Sequence, residues 1–123
     1  MLKNYKELVV WKKSYRLCLG IYKITKKYPQ GERYGLISQM RRAALSIVSN
    51  IAEGYGRKTT KEYIRFLYIA YGSTCELETQ LLLSGDLGYL SKESLSEFQA
   101  KIGEVERMLK ALIRSLENKR LTP

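Results

Sequence analysis

The sequence predicts an all-α fold, an antiparallel up-down-up-down four-helix bundle, and three observations carry that prediction. Its 123 residues include only two prolines, Pro29 and Pro123, so long stretches run without a helix breaker. Apolar residues recur at spacings of three and four, the period of a helix with a buried face. Interior turn signals gather at Tyr28-Pro29-Gln30-Gly31, Gly54-Tyr55-Gly56-Arg57-Lys58 and Gly85-Asp86-Leu87-Gly88, which cuts the chain into four segments. Short connections between such segments make consecutive helices antiparallel. A chain of this length suits one domain, residues 1–123, and is too short for a second independent core.

The first helix is expected from about Lys6 to Lys27, because the residue before Pro29 is pushed out of the α region. Leu8, Trp11, Tyr15, Cys18, Leu19 and Tyr22 form its main apolar face. Val10, Leu17, Ile21 and Ile24, spaced by seven, four and three, form a second ridge. A helix in a lone small bundle needs one such stripe. The second ridge is therefore expected to meet another copy of the chain. Between the ridges lie Lys12, Arg16, Lys23 and Lys27, within about 60° of one another on the helical wheel, flanked by Lys13 and Lys26. Glu7 is the only acid in the segment, so pairing within the helix leaves most of these cations for water or an anionic partner.

The second helix is expected over about Glu32–Glu53, with Met40, Ala43, Ala44, Ile47, Val48 and Ile51 on its core side and Arg42, Ser46, Ser49, Asn50 and Glu53 opposite. Ser46, Ser49 and Asn50 are poor interior helix formers. They are read as hydrogen-bonding across a helix or subunit contact, or as lining a groove. Gly54-Tyr55-Gly56 is expected to end this helix with a left-handed residue.

Thr59-Thr60-Lys61-Glu62 reads as a capping box opening the third helix, with Thr59 at the N-cap. Tyr63, Phe66, Leu67, Ala70, Thr74, Leu77 and Leu81 give its core stripe, and Ile64, Tyr68, Tyr71, Cys75 and Leu82 a second face. Ile64, Tyr68 and Tyr71 join the first helix's second ridge as expected oligomer contacts. Ser91 is the expected N-cap of the fourth helix. Leu95, Phe98, Ile102, Val105, Leu109, Leu112 and Leu116 then alternate steps of three and four as a heptad seam. Lys119 to Pro123 are expected to fray.

Composition excludes most catalysis. No histidine is present, so Ser-His, Cys-His and H-E-x-x-H chemistry is absent, and no loop has the Walker pattern. No catalytic residue, metal or cofactor is expected. Cys18 and Cys75 fall in apolar-periodic helices and read as buried, reduced thiols. The sequence shows no signal-peptide core and no run near 18 apolar residues, so the expectation is a cytoplasmic protein with no membrane partner.

The charge is informative. Up to Thr60 there are thirteen Lys or Arg against three Glu, so that half carries the whole net charge of +10 while the rest is balanced. Such asymmetry points to a surface for a polyanion. Of ten tyrosines, Tyr15, Tyr22, Tyr63 and Tyr71 sit at core or ridge positions, whereas Tyr28, Tyr34 and Tyr55 lie near loops beside Lys27, Arg33 and Arg57 and are the candidates for base stacking.

Leu8-Val9-Val10-Trp11, Ser38-Gln39-Met40-Arg41-Arg42-Ala43-Ala44 with Ser46-Ile47, and Asn50-Ile51-Ala52-Glu53-Gly54 with Gly56-Arg57 resemble the family named for open reading frames in intervening sequences of bacterial 23S rRNA genes. Phe66-Leu67-Tyr68-Ile69-Ala70 and Ser73-Thr74-Cys75-Glu76-Leu77-Glu78-Thr79 resemble its third helix. The resemblance implies a four-helix bundle that assembles as a homopentameric ring. A related group, the accessory variability determinant proteins of diversity-generating retroelements, is a basic pentameric bundle associated with a reverse transcriptase and RNA. Neither supplies a catalytic motif.

The leading expectation is a non-enzymatic homo-oligomer that binds RNA or DNA by its phosphates through Lys12, Lys13, Arg16, Lys23, Lys26 and Lys27, helped by Arg41, Arg42, Arg57 and Lys58. The alternatives are a scaffold whose basic face docks an acidic protein, such as a reverse transcriptase or other polymerase, and a purely structural oligomer.

Overall fold

The computed structural model describes residues 4–121, with side chains through Lys119, and those residues form four α-helices and no strand. The helices are α1 (Val9–Thr25), α2 (Leu36–Tyr55), α3 (Thr60–Asp86) and α4 (Lys92–Leu121), with 3-10 turns at Tyr5–Glu7 and Gln30–Glu32. Each helix packs on its neighbours in sequence, and α1 closes the bundle against α4. Contacts between the end of one helix and the start of the next fix the antiparallel course. Thr25 meets Arg41, Gly54 meets Phe66, and Gly85 meets Leu95.

The ends of the helices follow from local chemistry. α1 begins later than the periodicity implies because Leu8 is extended, at φ −69° and ψ 127°, after the Asn4-capped turn. Thr59 Oγ1 accepts from the Glu62 N–H at 3.2 Å, and Ser91 Oγ accepts from the Ser94 N–H at 3.1 Å, so both expected N-caps are in place.

The expected left-handed stop after α2 is not there. Gly56 caps α2 with right-handed angles, φ −82° and ψ 0°. Gly54 is instead required by proximity, since a Cβ there would lie 2.8 Å from Phe66 Cβ. The left-handed glycine is Gly88, at φ +79°, where Tyr89 N–H donates to Ser84 O at 2.9 Å and Gly88 N–H to Gly85 O at 3.1 Å. Those two bonds make a Schellman stop for α3. α4 continues as helix through Lys119, Arg120 and Leu121, where fraying was expected, while Thr122 and Pro123 lie outside the described residues.

The core takes Met40, Ala43, Ala44, Ile47, Val48 and Ile51 from α2, as the periodicity predicts, with Leu67, Ala70, Leu77 and Leu81 from α3 and Phe98, Ile102, Val105, Leu109 and Ile113 from α4. On α1 the two ridges exchange roles. Val10, Leu17 and Ile21 are buried within one copy, Ile21 at 0% exposure, and Ile24 is half-buried against the same cluster. Aliphatic side chains bury without a polar atom to satisfy, whereas each tyrosine of the competing ridge brings a hydroxyl that needs a partner.

The expected oligomer contacts are corrected accordingly. Val10, Leu17, Ile21 and Ile64 belong to the core, and Ile24 and Tyr71 pack against it. A buried aliphatic side chain of this size is worth about 1.5–3 kcal/mol to the fold, so Val10, Leu17, Ile21 and Ile64 have no surface to give to a neighbour. Tyr68 remains exposed, its hydroxyl donating to Glu117 Oε2 at 3.2 Å. Cys75 is also exposed, against expectation, while Cys18 is buried.

Candidate nucleic-acid interface

α1 contains no Asp or Glu, and its outward stripe is cationic. Lys12, Arg16 and Lys23 are exposed there, with Lys26 and Lys27 exposed just beyond the helix end. Lys13 lies to one side, half-buried against α4, where its Nζ pairs with Glu104 Oε2 at 3.0 Å. The structure thus gathers most of the expected α1 cations on one face and turns Lys13 toward an acid.

Arg41, Arg42, Arg57 and Lys58 do not form one cluster with that stripe. Arg57 and Lys58 are exposed at the α2–α3 turn, with the Arg57 guanidinium 4.5 Å from the Phe66 ring centre. That turn is about 20 Å along α2 from Arg41, at 1.5 Å per residue.

Arg41 and Arg42 line an open cleft of about 490 Å³ between the end of α1 and the start of α2. Arg41 is held firmly. Its Nε donates to Thr25 Oγ1 at 2.9 Å, its Nη2 donates to Tyr22 O at 3.2 Å, and its guanidinium lies 4.8 Å from the Tyr22 ring centre. A cation on the last carbonyls of α1 is also favoured by the helix dipole. Arg33 and Tyr34 form the opposite lip, with the guanidinium 5.6 Å from the ring centre and Tyr34 87% exposed.

Beside the cationic stripe runs an apolar one. Tyr15 at 47% exposure, Leu19 at 46% and Leu45 of α2 at 49% frame a shallow pocket of about 230 Å³ with Tyr22. Buried Cys18 is part of the same pocket, its thiol pushed up by burial. Ile69, Leu82 and Leu83 are exposed on α3 and Leu87 just past its end, with Leu82 about 140° around the helix from Ile69. The polar residues of α2 are placed differently from one another. Ser46 Oγ and Ser73 Oγ of α3 are 2.8 Å apart, and Asn50 Nδ2 donates to Ser46 O at 2.8 Å and to Ser46 Oγ at 3.0 Å. Ser49 is exposed.

Residues 6–111 match the family model described as 23S rRNA-intervening sequence protein. The chain belongs to this family. Its fold is similar to the crystal structure of a protein of unknown function from the S23 ribosomal protein family of Bacteroides thetaiotaomicron VPI-5482, at 24% identity and a TM-score of 0.81. That similarity covers 86% of this chain and 96% of the other, and at this identity it speaks for the fold. No curated protein matches the chain.

Arg33 and Ser38, which are not among the site residues expected from the sequence, also line the cleft. Ser38, Arg41, Arg42 and Leu45 are spaced i, i+3, i+4 and i+7, one side of a helix, and all four line the same cleft. That spacing was the available signal. Of the stacking candidates, Tyr34 is exposed, Tyr55 is half-buried with its ring 5.9 Å from Tyr63, and Tyr28 is buried against Tyr89. Tyr15 and Tyr22, expected in the core, are on the surface.

Proposed function

We propose that this protein is a non-enzymatic, homo-oligomeric binder of nucleic acid that holds RNA or DNA by its phosphates. The observation that carries this reading is the outer stripe of α1, where Lys12, Arg16 and Lys23 stand exposed on a helix without a single acid. Unpaired cations aligned at helical spacing match the repeating charge of a polynucleotide backbone and give affinity without sequence information.

Self-association is supported by the exposed apolar stripe of α1 and α2 and by the exposed leucines near the end of α3. The α1–α2 stripe and the exposed leucines near the end of α3 are different surfaces, and a head-to-tail contact between unlike surfaces builds a ring where its rotation closes. Tyr15, Leu19 and Leu45 replace Val10, Leu17 and Ile21 as the contact residues. Because the apolar stripe adjoins the cationic one, assembly sets the α1 stripes of successive copies around one ring. The pentamer remains the expectation from the family resemblance.

Gel-shift titration of a single-stranded oligoribonucleotide tests the binding. Lys12→Glu, Arg16→Glu and Lys23→Glu together should weaken it by at least tenfold while leaving helical circular dichroism unchanged. A parent protein that shifts neither RNA nor DNA at low salt would remove the proposal.

A further inference from the structure

We infer that the cleft between the end of α1 and the start of α2 is a nucleotide pocket, in which arginines hold one phosphate and Tyr34 stacks the attached base. This deepens the reading of a phosphate-binding protein and rests on it for the biological source of the ligand, but the pocket's chemistry stands on its own geometry.

The charge inside the cleft is one-sided. Arg33, Arg41 and Arg42 line it with the Ser38 hydroxyl, and no carboxylate of the described residues does. The nearest acid by sequence, Glu32, is already engaged on both oxygens. Oε1 accepts from the Leu36 N–H at 3.3 Å and Oε2 accepts from the Tyr89 hydroxyl at 2.8 Å. Three guanidiniums sharing about 490 Å³, with the Glu32 carboxylate turned to Leu36 and Tyr89, form a place for an anion with several acceptor oxygens.

Arg41 is pre-set for that role. Two of its nitrogens are tied to the end of α1, and the remaining donors keep a fixed direction. A donor that is already ordered loses little freedom on binding.

The aromatic side selects a nucleotide over a bare phosphate. Tyr34 is the most exposed large apolar side chain described, and Ile37, Leu45 and the Tyr22 ring add apolar wall. A flat ring presented beside arginines is the arrangement that stacks unpaired bases. The volume lies within the range of small-ligand sites, about 300–1,000 Å³. Tyr22 and Leu45 belong both to this cleft and to the apolar stripe, so the pocket opens at the edge of the proposed subunit contact.

Isothermal titration separates the sources of the phosphate. The probes are adenosine 5′-monophosphate, inorganic phosphate, a single-stranded decaribonucleotide with or without a 5′-phosphate, and polyglutamate. The variants are Arg33→Ala, Arg42→Ala, Tyr34→Ala and Tyr34→Phe, and they leave the Arg41–Thr25 bond intact.

Tyr34→Ala should weaken decanucleotide binding by about tenfold or more, the loss of one stacked base, while Tyr34→Phe retains it. Arg33→Ala and Arg42→Ala should each weaken it as well. Dependence on the 5′-phosphate would assign the pocket to a strand end, and independence to an internal phosphate, both as the inference allows.

Monophosphate binding that Tyr34→Ala abolishes, in a protein that binds no oligonucleotide, would keep the pocket and remove the broader reading. The pocket itself is overturned if the decanucleotide binds the parent, Tyr34→Ala and the two arginine variants equally. It is also overturned if polyglutamate binds more tightly than every nucleotide and is insensitive to Tyr34.

Discussion

Arg41 Nε donates to Thr25 Oγ1 across 2.9 Å, and the Thr25 hydroxyl in turn donates to Ile21 O at 2.7 Å. One arginine near the start of α2 therefore finishes the end of α1, and the cleft between the two helices keeps its shape because of it. Arg41→Ala and Thr25→Val should each destabilise the protein, by about 1–3 kcal/mol for a charged donor and its partner. Urea unfolding of the two single variants and the double variant should give a coupling energy of about 0.5 kcal/mol or more. Additive effects would mean that the bond does not join the helices.

Two glycines within helices should respond oppositely to the same substitution. Gly54→Ala places a Cβ 2.8 Å from Phe66 Cβ and 3.3 Å from Tyr63 O, so α2 and α3 must move apart. A loss of about 1–3 kcal/mol is expected from overpacking, in spite of the better helix propensity of alanine. Gly103→Ala in α4 meets only the flexible end of Arg107, at 3.3 Å, and should gain about 0.5–1 kcal/mol. Thermal melts of the two variants check both signs.

The α2 core face, the four-segment division and the N-caps at Thr59 and Ser91 were legible because each depends on local chemistry: a period, a breaker or a hydroxyl beside a free N–H. Which ridge of α1 faces inward was not legible. Both ridges have helical spacing, and the choice rests on what α2 and α4 present across the gap. Cys75 was misplaced for a similar reason, since the outer face of α3 is apolar enough to imitate a core stripe. Six cations in and just after the first helix could be listed from the sequence, but the turn of Lys13 toward Glu104 depends on α4, far along the chain. Arg33 joins Arg42 only once the segment between α1 and α2 has folded back.

The exposed apolar stripe makes assembly testable. Light scattering should give the parent a mass that is a multiple of 14.3 kDa. Tyr15→Asp with Leu19→Asp should reduce it to the single-chain mass, because charge is placed where an apolar contact must lose water. The same pair of changes should leave the fold intact, since both side chains are already on the surface. A parent protein that is monomeric at all concentrations would contradict the assembly.

Stability should fall in strong alkali. Burial first, and the neighbouring Tyr55 hydroxyl second, push the Tyr63 phenol from its usual 10 up to about 12. Between those two values the unfolded chain has released the proton and the folded chain still holds it, so the free energy of unfolding falls as pH rises through the window. Tyr63→Phe removes this titration. Urea midpoints at about pH 9 and about pH 11.5 should show a smaller loss in the variant than in the parent, on the linkage between proton binding and stability. Equal losses would contradict the shift.

Phosphate binding by the α1 stripe is read from the salt dependence of affinity. With Lys12, Arg16, Lys23, Lys26 and Lys27 all engaged, log affinity against log salt should fall with a slope near about −3.5 per protomer on a single strand and about −4.5 on a duplex. Changing Lys12, Arg16 and Lys23 to glutamine should bring the slope about 2 to 3 units closer to zero. A slope near zero in the parent, or one that these three substitutions leave unchanged, would rule out the α1 stripe as the phosphate site.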